Sequence, residues 1–186
     1  MEMFGTAAIL AGGKSTRMGY DKQCILHERI TTQLREVFPD ILVVTAHPEL
    51  YRGVRTAADE FSSCGPLAGI HAAVKHSYSE YVYITACDMP DFSANYAAYL
   101  MARVRESLPP ACVTLLKEGK IQPFHAFYGK ALLPALSRDL SAGLTSPGKL
   151  LEGTGALFIS AEEAPDIFSN LNTAEELAKW RADVVT

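Results

Sequence analysis

Short apolar runs alternate with amphipathic stretches along most of this chain. Residues 4–10, FGTAAIL, are apolar almost throughout, the pattern of a buried strand that persists to Leu10. Residues 40–46 (DILVVTA) and 80–90 (EYVYITACDMP) read the same way, the latter ending in polar residues. Residues 53–59 (GVRTAAD) make a weaker, shorter strand. Helical spacing appears in 28–38 (ERITTQLREVF) and in 65–77 (GPLAGIHAAVKHS), where Pro66 stands near the start. It returns in 93–108 (SANYAAYLMARVRESL), with Ser93 at the N-cap. Segments 110–116, 125–129 and 155–160 are further strand candidates. Residues 172–184 (NTAEELAKWRADV) form a closing helix, capped by Asn172 or Thr173, with Glu175 and Glu176 in its first turn.

Alternation of this kind predicts an α/β fold with a mostly parallel sheet covered on both faces, a three-layer α/β/α, Rossmann-like arrangement. No repeat or low-complexity linker divides the sequence, so one domain over 1–186 is expected. Ligands in such folds bind beyond the carboxyl ends of the strands, so those ends are the place to look for chemistry.

Composition narrows the field only a little. Hydrophobic residues make up 48% and charged residues 20%, ordinary for a globular protein, and the net charge of -4 argues against general nucleic-acid binding. The apolar run at the N-terminus is too short for a signal peptide or membrane span. The four cysteines (Cys24, Cys64, Cys87, Cys112) show no C-x-x-C spacing, which predicts a reducing, cytoplasmic setting.

Three strand ends carry candidate chemistry. After the first comes LAGGKSTRMGYDK, with Gly12, Gly13 and Gly19 among the cations Lys14, Arg17 and Lys22. Glycines let backbone N–H groups approach a phosphate, and the cations neutralise its charge. The GKS within it is no P-loop: the pattern G-x-x-x-x-G-K-[ST] would put its first glycine at Ala8, inside the strand, and G-x-G-x-x-G is missing too. Beyond the 80–86 run stands Asp88, a carboxylate placed to bind Mg2+ alongside phosphate oxygens. Around the weak strand, Asp59 precedes Gly65-Pro66-Leu67-Ala68-Gly69, where backbone could approach a flat base and Asp59 could accept a hydrogen bond from base or ribose.

Taken in order, LAGGKSTRMGYDK, GPLAG, ACDMP and NLNTAEEL resemble the molybdenum cofactor guanylyltransferase (MobA-type) family, from about Ala8 to about Trp180. The resemblance implies the nucleotide-diphospho-sugar transferase (glycosyltransferase-A-like) fold and transfer of GMP from GTP to molybdopterin. It implies that Leu10, Ala11, Gly12 and Gly13 line the nucleotide together with Asp59 and Gly65. Arg17 and Lys22 would face the triphosphate, and Asp88 would bind Mg2+. Asn170 and Asn172 would lie on the pterin side, as would His125 of QPFHAFY, for which a half-buried strand histidine is the alternative reading. Transient contact with molybdoenzyme maturation proteins follows as a further expectation.

The chain departs from the family in three places. The stretch 23–40 is several residues short and lacks a turn glycine, which suggests a shortened first helix. Thr45 stands where some relatives carry an asparagine, and 142–155 lacks arginines found in some members. Two other readings stay open: transfer of another nucleotide (CTP to molybdopterin, or an NTP to a sugar phosphate), and an idle nucleotide-binding relative.

Overall fold

The computed structural model describes residues 1–11, 20–61, 64–116 and 119–185, with backbone alone for 20–25, 174, 181 and 183–185. A seven-stranded sheet runs in the order β3-β2-β1-β4-β6-β5-β7. Its strands are β1 (Thr6–Leu10), β2 (Asp40–Val44), β3 (Arg55–Ala57), β4 (Tyr81–Ala86), β5 (Ala111–Leu115), β6 (Ile121–Gly129) and β7 (Leu157–Ser160). Every pairing is parallel except those of β6, which runs antiparallel between β4 and β5. The mostly parallel α/β architecture expected from the alternation is the one observed.

Why the central strands are apolar at nearly every position follows from the layers. Side chains alternate across a strand, so a strand covered on both faces needs apolar residues at both parities. Ala7, Ile9, Val43 and Tyr83 face one cluster, completed by Ile30 and Leu34 of α1 (Tyr20–Arg35) and by Tyr96, Leu100 and Val104 of α3 (Ala94–Ser107). Ala8, Leu10, Val82 and Ile84 face the other. That one is closed by Leu67, Ile70 and Val74 of α2 (Gly65–His76), Leu136 and Leu140 of α4 (Leu133–Ser141), and Leu150 and Leu151 of α5 (Pro147–Leu151). The closing helix is α6 (Ala174–Val185).

Several elements differ from the sequence reading. The first helix is not shortened. It begins at Tyr20 and runs 16 residues, because no glycine or proline interrupts Tyr20–Arg35. Lys22 therefore lies in the first turn of a helix and not in a strand-end loop. The sequence reading passes over α4, although Leu133, Leu136 and Leu140 recur there at helical spacing, and α5, which is only five residues long. β6 begins at Ile121, ahead of the expected 125–129, and its register against β5 shifts between Cys112 and Thr114. The short edge strand β3 is held by the Arg55 fork on Asp40 of β2, Nε to Oδ1 at 3.1 Å and Nη2 to Oδ2 at 2.6 Å.

Candidate nucleotide site

Sequential strands β1, β2 and β3 step to one side, and the chain then returns to place β4 on the other side of β1. That reversal is a topological switch point, where an open parallel sheet leaves a crevice. The strands end together: Leu10 pairs with Val44 and Ala86, and Val44 with Ala57. The residues just beyond them therefore share one edge. Two backbone bonds extend the sheet a step further, Cys87 N–H to Leu10 O at 3.1 Å and Ala11 N–H to Val44 O at 2.9 Å. A ligand contact from Ala11 would thus come from its carbonyl, since its N–H is engaged by the sheet.

Asp88 emerges half-buried at this crevice, between buried Cys87 and Met89. Met89 N–H closes a turn onto Ala86 O at 3.1 Å, so the carboxylate stands on a backbone fixed from both sides. Asp59 is exposed two residues past β3. Three strand spacings separate β3 from β4, about 14 Å, a span that one nucleotide can bridge from base to phosphates. Between them, α2 begins at Gly65, whose φ of +62° suits glycine. Gly69 of the same helix packs against Leu10; a Cβ there would meet Leu10 Cδ1 at 2.9 Å. A side chain at the second glycine of GPLAG would thus force Leu10 to shift. Thr45 is 4% exposed, and its Oγ1 accepts from His47 N–H at 3.0 Å, a local turn bond.

The NLNT segment is tied to the Asp88 turn. Leu171 N–H donates to the Asp88 carbonyl at 2.8 Å, and Leu171 is buried while Asn170 and Asn172 on either side are exposed. Its far end is fixed by a capping box. The Glu176 carboxylate accepts from Asn172 N–H at 2.6 Å and Thr173 N–H at 2.8 Å, and Thr173 Oγ1 accepts from Glu176 N–H at 3.1 Å. Thr173 is the cap of the two candidates. The spacing T-x-x-E announced this box in the sequence, though only the acidic first turn was read from it.

Of the two readings of His125, the structure favours the strand histidine, more deeply buried than expected. It is 1% exposed, with φ at +50°, in the irregular part of β6. Its Nδ1 lies 3.0 Å from the Tyr83 hydroxyl and its Nε2 3.4 Å from Thr85 Oγ1. Burial lowers its pKa to about 4, so the ring is neutral near pH 7. A neutral imidazole has one N–H, so one hydroxyl donates to it and the other accepts. With both nitrogens engaged inside the protein, the ring offers no contact to a pterin in this arrangement. It packs instead on Phe168, centroids 5.8 Å apart, two residues before Asn170.

Gly12, Gly13 and Arg17 lie outside the described residues, as does the side chain of Lys22. Asp88 is thus the described acid for a cation. Among the described residues no group of three or more His, Cys, Asp or Glu could enclose a metal. A single hard carboxylate at a strand end still fits Mg2+, which takes one or two carboxylates and completes its shell with phosphate oxygens and water.

A sheet of this order, with an acid at the switch point and glycines beside it, defines an α/β nucleotide-handling protein. Residues 7–156 match the family described as MobA-like NTP transferase domain, and the chain belongs to that family of nucleotidyltransferases. It is 41% identical over 192 residues to the molybdenum cofactor guanylyltransferase of Syntrophotalea carbinolica, covering 96% of this chain and 91% of that one. Among solved structures, it resembles molybdopterin-guanine dinucleotide biosynthesis protein A from Archaeoglobus fulgidus, with a TM-score of 0.80 and 20% identity over 97% and 98% of the two chains. It also resembles 2-C-methyl-D-erythritol 4-phosphate cytidylyltransferase from Thermus thermophilus, with a TM-score of 0.71 and 13% identity over 100% of both. These two likenesses establish the shared fold.

Proposed function

We propose that this protein is a molybdenum cofactor guanylyltransferase, acting as one domain over 1–186 in the cytoplasm. An oxygen of the terminal phosphate of molybdopterin attacks the α-phosphorus of GTP, the bond to the bridging oxygen breaks, and pyrophosphate leaves. The nucleophile is an anion near pH 7, so the reaction needs alignment and charge neutralisation more than a general base. His125, buried and neutral, is no base in this scheme. Asp88 is the residue that would hold Mg2+, which when bound neutralises phosphate charge. Arg17 and Lys22 are assigned to the triphosphate, and Asp59 with the Gly65 turn to the base and ribose. Asn170 and Asn172 are assigned to the acceptor, which the product would leave for maturation proteins.

The observation that carries this reading is the 2.8 Å bond from Leu171 N–H to the Asp88 carbonyl. It joins the acid assigned to the phosphates and the asparagines assigned to the acceptor, so both substrates would meet at one turn. Calorimetric titration with GTP, CTP and ATP, with and without Mg2+, tests it. Magnesium-enhanced binding of GTP alone, followed by turnover with molybdopterin, is expected. A preference for CTP would change the product, and binding of no nucleotide would overturn the proposal.

A further inference from the structure

Resting on that reading, we propose that Trp180 is a positioning residue for the transfer, locking the helix that carries Lys22 to the turn that carries Asp88. Trp180 is the single tryptophan of the chain. Its Nε1–H donates to Asp91 Oδ1 at 3.1 Å, a bond across 89 residues of sequence. Asp91 follows Asp88 by three residues, in the same turn after β4. On its other side the Arg29 guanidinium carbon lies 4.8 Å from the centroid of the Trp180 ring. Among the described residues Arg29 Nε is buried without a hydrogen-bond partner, and the contact seen here is with the face of the ring.

Arg29 belongs to α1, two turns beyond Lys22. α1 and α6 meet a second time, where Leu26 of α1, Leu177 of α6 and Leu171 of the segment before α6 form a small buried cluster against Trp180, and Leu171 is in turn bonded through its N–H to the Asp88 carbonyl. This cluster is separate from the two that cover the sheet. Among the described residues, the main core holds α1 through Ile30 and Leu34, further along the helix, while this cluster holds it nearer its first turn. The catalytic proposal asks Lys22 and Asp88 to act on one triphosphate. Trp180 fixes their two supports relative to each other through one hydrogen bond and one cation–π contact.

A nucleotide spanning both supports should tighten this clamp. Because Trp180 is half-buried and alone, acrylamide quenching of its emission reads the clamp directly. The expected result is weaker quenching as GTP with Mg2+ is added, with a midpoint matching the calorimetric Kd of the same protein. Calorimetric binding with unchanged quenching would overturn the clamp and leave the guanylyltransferase reading intact. Absence of calorimetric binding would overturn that reading and the clamp with it.

Kinetics give an independent arm. Trp180→Phe keeps an aromatic face over Arg29 and removes the N–H, and it should lower kcat by about tenfold through misalignment. Asp91→Leu should match it, the double variant should be no worse than either, and Asp91→Asn, which keeps an acceptor, should restore turnover. A lowered Tm with unchanged kcat in the folded variants would mean a structural role only, overturning the proposal. If the substitutions prevent folding, the quenching result on the unaltered protein decides.

Discussion

His125 occupies a left-handed backbone conformation, uncommon outside glycine although asparagine, aspartate and histidine adopt it more often than other residues. It is kept there by two hydroxyls and by the Tyr83 and Phe168 rings. Its folded pKa, near 4, lies below the ordinary value of 6.5 because burial disfavours the charged ring. The unfolded chain therefore binds more protons between those values, and the stability contribution is present above pH 6.5 and lost as pH falls towards 4. The loss between pH 7 and pH 5 should be about 2 kcal/mol. His125→Asn, compatible with the backbone, should be weaker at pH 7 yet lack this part of the acid sensitivity. Urea midpoints of both proteins at the two pH values check this; equal slopes would show that His125 does not carry the effect.

At the scale of elements, α6 holds the segment assigned to the acceptor. The Glu176 carboxylate serves two N–H groups, one on the cap and one on Asn172, so stability and site geometry depend on the same side chain. Glu176→Ala should cost about 1 kcal/mol, as the loss of other caps does. It should also raise KM for molybdopterin while leaving GTP affinity unchanged, since Asp88 and α2 are untouched. Thermal melting and steady-state kinetics with each substrate varied separate the two effects. A rise in KM for GTP alone would place Asn172 on the nucleotide side. α1 gives the converse lesson: with no breaker between Tyr20 and Arg35, a stretch expected to shorten the helix lengthens it.

Across the whole molecule, β1 and β4, seventy-odd residues apart in sequence, must pair before the switch-point crevice exists. Nucleotide binding should therefore favour the folded chain. GTP with Mg2+ at a hundred times its Kd should add about 2.7 kcal/mol to the free energy of unfolding. Asp88→Ala should gain much less at the same concentration, because the proposed mechanism assigns its carboxylate to the cation. Urea unfolding with and without ligand measures both. Equal gains in the two proteins would remove Asp88 from nucleotide binding.

The sequence by itself determined the layering and the strand ends at which the candidate residues Asp59 and Asp88 stand. Apolar residues at both parities of 6–10, 40–44 and 81–86 leave little alternative to strands covered on both faces, and strand ends in such sheets are where Asp59 and Asp88 fall. Ser93 was legible as a cap because its bond is local, to Tyr96 N–H at 3.2 Å. What depends on distant partners was decided only by tertiary structure. β6 entered antiparallel between β4 and β5, and its bulge carried His125 inward against Tyr83 and Thr85. Gly69 was left small by Leu10, a neighbour on another element. Trp180 read only as part of the closing helix. Its bond to Asp91 and its place over Arg29 arise only when the chain brings α1, α6 and the turn after β4 together, contacts that no local periodicity encodes.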